Sequence, residues 1–160
     1  MNGPGKSGLR MLSTLTLIVT LVAGQACDAQ HKRTPGGYDL EAAPHAVKLG
    51  KNLKEISGLA SDAQGRLFAH NAERGVVYQL DPMTGSVLSW FVLGRTMVHE
   101  DFEGLAIAGS YFYLVTSSVD LYQFREGTEG GRVEYRVFRT PLDRDNDVEG
   151  LCYDPQTQAL

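Results

Sequence analysis

The sequence contains few cysteines and no excess of basic residues. Two cysteines in 160 residues are too few for the disulfide framework that stabilises small secreted scaffolds. Lysine and arginine number 15 against 19 aspartates and glutamates, which gives a formal net charge of −4. This acidity argues against a nucleic-acid partner and suits the binding of cations.

Several common signatures are also missing. After residue 26 the apolar residues show no helical periodicity, which argues against helical domains. The chain has no Gly-x-Ser-x-Gly nucleophile elbow and no glycine-rich loop of the kind that cradles phosphate. These absences favour an all-β protein without a recognisable catalytic motif.

The one long apolar run stands at the N-terminus. Lys6 and Arg10 begin this region, Met11–Ala23 form the run, and Gly24-Gln25-Ala26 offers a small-x-small cleavage site. We predict that residues 1–26 are a signal peptide or a membrane anchor. The protein is then exported to the cell envelope, where it is either periplasmic or associated with the cell membrane through its N-terminus.

Residues 27–45 are expected to be a linker, because they are polar and contain Pro35-Gly36-Gly37. Cys27 stands directly after the cleavage site, where a lipoprotein carries its acylated cysteine. Gly24 and Gln25 depart from the residues that a lipidation signal requires, so an ordinary cleaved leader is the preferred alternative. Cys152 falls in a predicted strand and is expected to be a small core residue.

A short motif occurs three times at a constant interval. Its copies are Ile56–Ala60, Asp101–Ala106 and Asp147–Cys152, and equivalent positions lie 46 residues apart. A fixed period of about 40 to 50 residues filled with strand-like segments is typical of the blades of a β-propeller. We predict that residues 46–160 are the N-terminal part of a β-propeller domain. About two and a half blades would be present, since a closed ring needs at least four.

Each complete repeat contains four strand-like segments separated by turn residues. Residues that favour turns, such as aspartate, glycine and proline, occur at Asp62–Gly65, Asp81–Gly85 and Asp154–Thr157. The predicted strands lie at residues 46–49, 58–61, 66–70, 75–80, 86–93, 104–108, 111–116, 120–124, 132–138 and 150–153. Strand alternation assigns five aromatic residues to the core between blades, namely Phe68, Phe91, Phe102, Phe112 and Tyr113.

Five segments of the chain occur together in the order of a known family. They are Glu55–Ala60, Gly65–Asn71, Val77–Gly85, Asp101–Ala106 and Asp147–Leu151. In this set the chain resembles the SdiA-regulated (YjiK-like) family of bacterial envelope proteins, which is related to the phytase-like esterase propellers. The resemblance covers residues 47–160 and implies a six-bladed, calcium-binding propeller held in the cell envelope. One departure is Ala72, where the family pattern has an acidic residue.

Acidic residues flank two copies of the motif. Asp101 and Glu103 precede the inner strand of the second repeat, and Asp147 and Glu149 precede that of the third. Because equivalent positions in a propeller surround one axis, these four carboxylates are predicted to supply oxygen ligands to Ca²⁺. A bound cation would relieve the repulsion between them. The alternative is that they cap loops by accepting backbone N–H bonds.

The first copy of the motif lacks the glutamate. Ser57 stands where Glu103 and Glu149 stand in the later copies, so the ring of carboxylates is not uniform. Glu55, two residues before Ser57, is a candidate ligand-binding residue that could compensate.

A histidine and an asparagine close the second strand of the first repeat. His70 and Asn71 are candidate ligand-binding residues, and they align with Thr116 and Ser117 when the fixed spacing is applied. His70 together with Glu73 is also the candidate catalytic pair, because a histidine near an acid can act as a general base. The alternative is that His70, as a lone histidine at a strand end, forms hydrogen bonds at the surface.

Two functions of different class are compatible with the sequence. The first is an exported propeller that binds Ca²⁺ and an unknown small molecule or envelope protein without turnover. The second is a calcium-dependent phosphoester hydrolase of the phytase-like kind, in which metal ions position phosphate and activate water. That hydrolase needs a cluster of basic residues, and Arg66, Arg74 and Arg95 are too scattered to indicate one. A binding protein is therefore the preferred interpretation.

Overall fold

The computed structural model describes residues 46–160, which belong to the unit Pro44–Leu160. The predicted leader at residues 1–26 and the predicted linker at residues 27–45, with Cys27, lie outside the described residues. No helix within residues 46–160 is long and apolar enough to cross a membrane. The strands in this range are β1 (Ile56–Ser61), β2 (Leu67–Asn71), β3 (Val76–Leu80), β4 (Val87–Leu93), β5 (Phe102–Ala108), β6 (Tyr111–Thr116), β7 (Asp120–Arg125), β8 (Arg132–Val133) and β9 (Tyr135–Arg139).

These strands form two sheets. The first sheet has the order β1-β2-β3-β4-β8 and the second has the order β5-β6-β7-β9. All neighbours are antiparallel except β8, which runs parallel to β4. The remaining regular structure in residues 46–160 consists of 3₁₀ turns at Lys51–Leu53 and Arg144–Asn146. The all-β prediction is thereby confirmed.

The hairpin turns follow from the side chains that the sequence places in them. An Asp62 carboxylate oxygen accepts the backbone N–H of Gln64 at 3.0 Å and that of Arg66 at 2.9 Å. The carboxylate of Asp81 accepts the N–H groups of Met83 and Thr84, each at 2.8 Å. Such bonds satisfy backbone donors that the strands leave free and fix the turn. The predicted turns are confirmed, and so are the four strands of the first repeat, whereas the last strand of the second repeat is divided.

Three predicted strands differ in the structure. Residues 46–49 form no strand, and residues 150–153 form none either, with only an isolated bridge between Asp154 and Ala159 nearby. The segment predicted at 132–138 is divided into β8 and β9, because β8 pairs with the first sheet and β9 with the second. Cys152, expected in the core, is exposed since no strand pairing covers it.

The main core lies between the two sheets and is rich in aromatic rings. Phe68 in β2 meets Phe112 in β6 edge to face, with ring centroids 5.0 Å apart, and Phe91 in β4 meets the same ring at 5.9 Å. Each such pair contributes roughly 0.5–1.5 kcal/mol beyond its area burial. Phe102 is also fully buried, so the core prediction holds for these four residues. It is wrong for Tyr113, which is half-buried on the opposite face of β6.

Glycines bring consecutive repeats into close backbone contact. A Cβ atom on Gly58 in β1 would lie 3.6 Å from the backbone nitrogen of Leu105 in β5. A Cβ atom on Gly104 in β5 would collide with the backbone nitrogen of Leu151 and would lie 2.9 Å from Cα of Gly150. Gly58 and Gly104 therefore each approach the residue that follows the glycine in the next copy of the motif, Leu105 and Leu151 respectively.

Candidate functional site

Most of the predicted site residues lie at one end of the two sheets, which we call the motif end. Here β1 and β5 begin and β2 and β6 finish, because the hairpins β1–β2 and β5–β6 are antiparallel. The predicted site residues in or directly beside these strand ends are Glu55, His70, Asn71, Glu73, Asp101 and Glu103. The motif end is therefore the candidate functional site.

A β-bulge shapes each inner strand at this end. The pairing of β1 with β2 shifts by one residue at Ser57, and the pairing of β5 with β6 shifts by one residue at Glu103. A bulge leaves its extra residue unpaired and redirects the side chain. Ser57 and Glu103 thus occupy equivalent structural positions, in agreement with the sequence repeat.

Ala72 joins the two sheets through its backbone. Its N–H donates to the carbonyl oxygen of Glu55 at 2.7 Å, and its own carbonyl accepts the N–H of Phe102 at 2.7 Å. In the second sheet the N–H of Ser117 donates to the carbonyl of Asp101 at 2.9 Å, which repeats the first of these bonds. The departure from the family pattern at Ala72 thus falls on a residue whose backbone holds the motif end together.

The predicted metal ligands influence one another electrostatically. The pKa of Glu103 is raised, first because the half-buried carboxyl loses hydration and then because it lies near Asp101, Glu149 and Asp147. A hydrogen bond to Asp101 also favours the protonated form of Glu103. Asp101, Asp147 and Glu149 are exposed. The structure therefore brings carboxylates of the second and third copies of the motif into one neighbourhood.

Their arrangement is open. Within residues 46–160 no three histidine, cysteine, aspartate or glutamate side chains converge closely enough to hold a metal ion as they stand. The donor chemistry nevertheless suits Ca²⁺, which takes carboxylate oxygens in flexible geometry and retains water as a ligand. Glu103 and the three exposed carboxylates near it are the residues that could hold such an ion after side-chain rotation.

His70 is enclosed rather than exposed, since none of its surface reaches solvent. Its Nδ1 atom lies 3.2 Å from the carbonyl oxygen of Asn71, which can only accept, so Nδ1 carries the proton. Nε2 is then an acceptor, and it has no hydrogen-bond partner among the described residues. Burial lowers the pKa of His70 and keeps the ring neutral. The alternative of a surface histidine is therefore wrong.

Asn71 is buried beside it and is only partly satisfied. Its Oδ1 accepts the backbone N–H of Glu73 at 3.1 Å and the Nε–H of Arg74 at 3.4 Å. Its Nδ2 has no partner within residues 46–160. Since a buried unpaired donor costs about 1–3 kcal/mol, this amide group is a point at which a water or a ligand could bind.

The candidate catalytic pair is not assembled in this structure. The Nδ1 atom of His70 is bonded to a backbone carbonyl, and no hydrogen bond joins its ring to the carboxylate of Glu73 among the described residues. Glu73 is exposed, whereas His70 faces the space between the sheets beside Gly58. The two side chains therefore do not form the base-and-orienter pair that general base catalysis uses.

The arginines that a phosphate site would need are also separated. Arg66 is engaged by Asp62 and Glu126 at the opposite end of the sheets, and Arg95 lies 3.5 Å from Glu134 on the surface. Arg74 lies at the motif end, where it bonds to Asn71, and Arg95 follows the end of β4 on the same side, since β3 begins and β4 finishes there. Within the described residues these three arginines form no common anion site.

The sequence indicated no role for Thr116, and the fixed spacing aligned this residue with His70, although its structural equivalent is Asn71. Asn71 and Thr116 are equivalent, because each pairs with the residue just before the bulge of its inner strand. Thr116 is buried, accepts the N–H of Asp120 at 3.1 Å and contacts the hydroxyl of Ser118 at 2.9 Å. The fixed spacing of 46 misses this match by one residue, since the β1–β2 hairpin is one residue longer than the β5–β6 hairpin.

The comparisons with known proteins give no assignment. No protein-family model matches the chain, and no curated protein matches it.

Proposed function

We propose that residues 46–160 form consecutive blades of a β-propeller of the SdiA-regulated type, six-bladed when complete. In this proposal the protein is exported to the cell envelope and binds Ca²⁺ together with an unknown small molecule or envelope protein. In this proposal the protein binds its ligand without converting it. The candidate base His70 is not paired with Glu73, and Arg66 and Arg95 are engaged by different glutamates rather than forming one phosphate site.

The propeller is supported by the way successive repeats meet. Two four-stranded meanders pack face to face, and the same glycine contact links the first repeat to the second and the second to the third. The equivalent bulges at Ser57 and Glu103 place one residue from each inner strand at the motif end. A rotational repeat of one unit about an axis brings the same positions of successive units together in this way.

The observation that carries the calcium proposal is the environment of Glu103. Its carboxyl is half-buried, and its pKa is raised first by that burial and then by the negative charges of Asp101, Glu149 and Asp147 nearby. Repulsion between these negative charges destabilises the folded state, and a bound divalent cation would remove that repulsion. A bound Ca²⁺ would supply charge neutralisation there, while Glu103 and its neighbours would supply oxygen ligands.

The proposal is tested by the thermal stability of the full-length protein. A ligand that binds only the folded state raises the melting temperature by mass action. We expect Ca²⁺ in the millimolar range to raise it, a chelator to reverse the effect, and Mg²⁺ to act more weakly because it demands a rigid octahedral site. No change with Ca²⁺ or chelator would remove the metal from the proposal.

A further inference from the structure

The ring of His70 holds one peptide group at the motif end. Its Nδ1–H donates to the carbonyl oxygen of Asn71 at 3.2 Å. That carbonyl belongs to the peptide between Asn71 and Ala72, and the N–H of the same peptide donates to the carbonyl of Glu55 at 2.7 Å. The C=O and N–H of a planar trans peptide point in opposite directions. The imidazole and the first copy of the motif are therefore bonded to opposite sides of one rigid group.

Ala72 extends this connection to the second copy of the motif. Its carbonyl accepts the N–H of Phe102 at 2.7 Å, and the carbonyl of Asp101 accepts the N–H of Ser117 at 2.9 Å. The peptide between Asp101 and Phe102 is thus bonded on both sides. A displacement of Ala72 would move this peptide and, with it, the carboxylate of Glu103, which is the next residue.

The strand pairing does not itself require a histidine at position 70. In the second repeat Val115 pairs with Gly104 as His70 pairs with Gly58, and Val115 is buried as well. Nε2 of His70 is enclosed and has no hydrogen-bond partner within residues 46–160. Such a buried, unpaired atom costs about 1–3 kcal/mol, which an aliphatic side chain would avoid. Packing alone therefore does not explain the imidazole.

A protonated ring is incompatible with this position. The second proton would go to Nε2, which lies beside Gly58 and meets no acceptor within the described range. Among the ionisable residues of the strands around it, β1 contributes none, β3 contributes only Tyr78 and β5 only Glu103. Tyr78 packs with the smaller core cluster, and the carboxylates near Glu103 are those of the second and third copies of the motif. A charged ring would therefore leave its place and release the carbonyl of Asn71.

We propose that His70 is a positioning residue of the motif end, which in its neutral form holds the peptide between Asn71 and Ala72 and on protonation releases it, so that a fall in pH weakens the Ca²⁺ site at Glu103. This inference rests on the proposed binding of Ca²⁺ and adds a means of regulating it. Protonation of the carboxylates would remove ligands directly, whereas His70 acts on Glu103 through Ala72 and Phe102 without touching the ion.

Two variants of the full chain separate the hydrogen bond from the volume of the side chain. His70→Asn places an amide N–H at the position of Nδ1, so the bond to the carbonyl of Asn71 is kept in a side chain that does not titrate. His70→Val copies Val115 of the second repeat and has no donor. His99→Val, which replaces an exposed histidine, is the control.

Amide hydrogen exchange without Ca²⁺ measures the peptide position, expressed as protection relative to the unfolded chain at each pH. Between about pH 7.5 and about pH 5, protection of Ala72 and Phe102 should fall about fivefold or more in the unmodified protein and in the control. It should stay constant in His70→Asn and should be low at every pH in His70→Val. Constant protection in the unmodified protein overturns the proposal even if neither variant folds.

Titration calorimetry with Ca²⁺ then measures the link to the metal. The loss of affinity over the same pH range should be smaller in His70→Asn than in the unmodified protein by about fivefold. The carboxylates titrate in both proteins, so the comparison isolates the histidine. Equal protection in His70→Asn and His70→Val, or an unchanged pH dependence in His70→Asn, overturns the proposal, since the ring would then only fill space beside Gly58. If the unmodified protein binds no Ca²⁺, the proposed function and the link to the metal both fail, whereas the exchange data still decide whether His70 holds the peptide.

Discussion

The imidazole of His70 occupies the space in which a side chain on Gly58 would stand. A Cβ atom on Gly58 would lie 2.6 Å from Nε2 and 3.0 Å from Cδ2 of that ring. The two residues are register partners on β1 and β2, so the missing side chain of one makes room for the large side chain of the other. This pairing explains how a complete imidazole fits between two sheets.

Gly58→Ala should destabilise the protein by about 1–3 kcal/mol, the usual cost of forcing extra volume into a packed interior. The effect comes from space rather than from backbone strain, since Gly58 is not among the residues with positive φ. Chemical denaturation of the full chain measures it. Gly150→Ala is the matched control at the equivalent repeat position, where a Cβ would have no atom within 4 Å, and its stability should be nearly unchanged. Equal losses in both variants would refute the packing argument.

Gly104→Ala should cost more than Gly58→Ala. Its Cβ would collide with the backbone of Gly150 and Leu151, whereas the Cβ on Gly58 meets a side chain that can rotate. We expect the segment around Leu151 to be displaced as well. Limited proteolysis should therefore cut near residues 150–153 faster in Gly104→Ala than in Gly58→Ala, and similar cleavage rates would contradict the close approach.

The buried histidine should make stability depend on pH. The pKa of His70 is lowered in the folded state, so the unfolded chain binds a proton more readily. Stability is then lost as the pH falls below about 6.5, the ordinary histidine value. The slope of unfolding free energy against pH between about 5 and 7 should be smaller in His70→Gln than in the unmodified chain. His99→Gln, which changes an exposed histidine, serves as the control and should keep the slope.

Arg66 should link the two sheets measurably but weakly. Its guanidinium forms two parallel bonds to the Glu126 carboxylate, at 2.8 and 2.9 Å, and a third to Asp62 at 2.7 Å. The side chain of Arg66 is 39% exposed, so a double-mutant cycle with Arg66→Ala and Glu126→Ala should give a coupling of about 1 kcal/mol or less, decreasing with salt. The cycle for Arg95 and Glu134, which are almost fully exposed, should give no coupling.

The strands and turns could be predicted because their signals are local. Asp62 and Asp81 hold turns through bonds to residues only two to four positions away, and alternation within each segment shows which side chains share a face. Where the prediction was wrong, the deciding partner was distant in sequence. The division at residue 134 arises because Arg132 and Val133 pair with β4 of the other sheet. No pattern within residues 132–138 contains that information.

The sequence could predict that repeat positions approach one another, but it could not predict the environment of each side chain. The repeat identified Glu103 and its neighbours, since equivalent positions converge at one end of the sheets. The burial of His70 depends on the absence of a side chain at Gly58, across a strand pair, and is invisible in the residues beside His70. Tyr113 was misassigned because aromatic character does not indicate a face; its hydroxyl accepts the Nε2–H of Gln123 at 2.8 Å away from the main core.

Removing the charge of Glu103 should leave the stability of the metal-free protein unchanged or slightly higher, but it should reduce the stabilisation by Ca²⁺. Because the pKa of Glu103 is raised in the folded state, its contribution to stability is greatest below the ordinary glutamate value near 4.5 and decreases as the pH rises through the folded value. Glu103→Gln removes the charge, so the metal-free variant should be as stable at pH 7 as the unmodified chain, or slightly more stable.

The same variant should lose most of the rise in melting temperature that Ca²⁺ produces, as should Glu149→Gln. Glu129→Gln, an exposed glutamate on the turn between β7 and β8, should keep the full Ca²⁺ response. If Glu103→Gln lowers stability without metal and leaves Ca²⁺ binding intact, the carboxylate acts as a structural cap that accepts backbone N–H bonds, and the calcium proposal loses its central ligand.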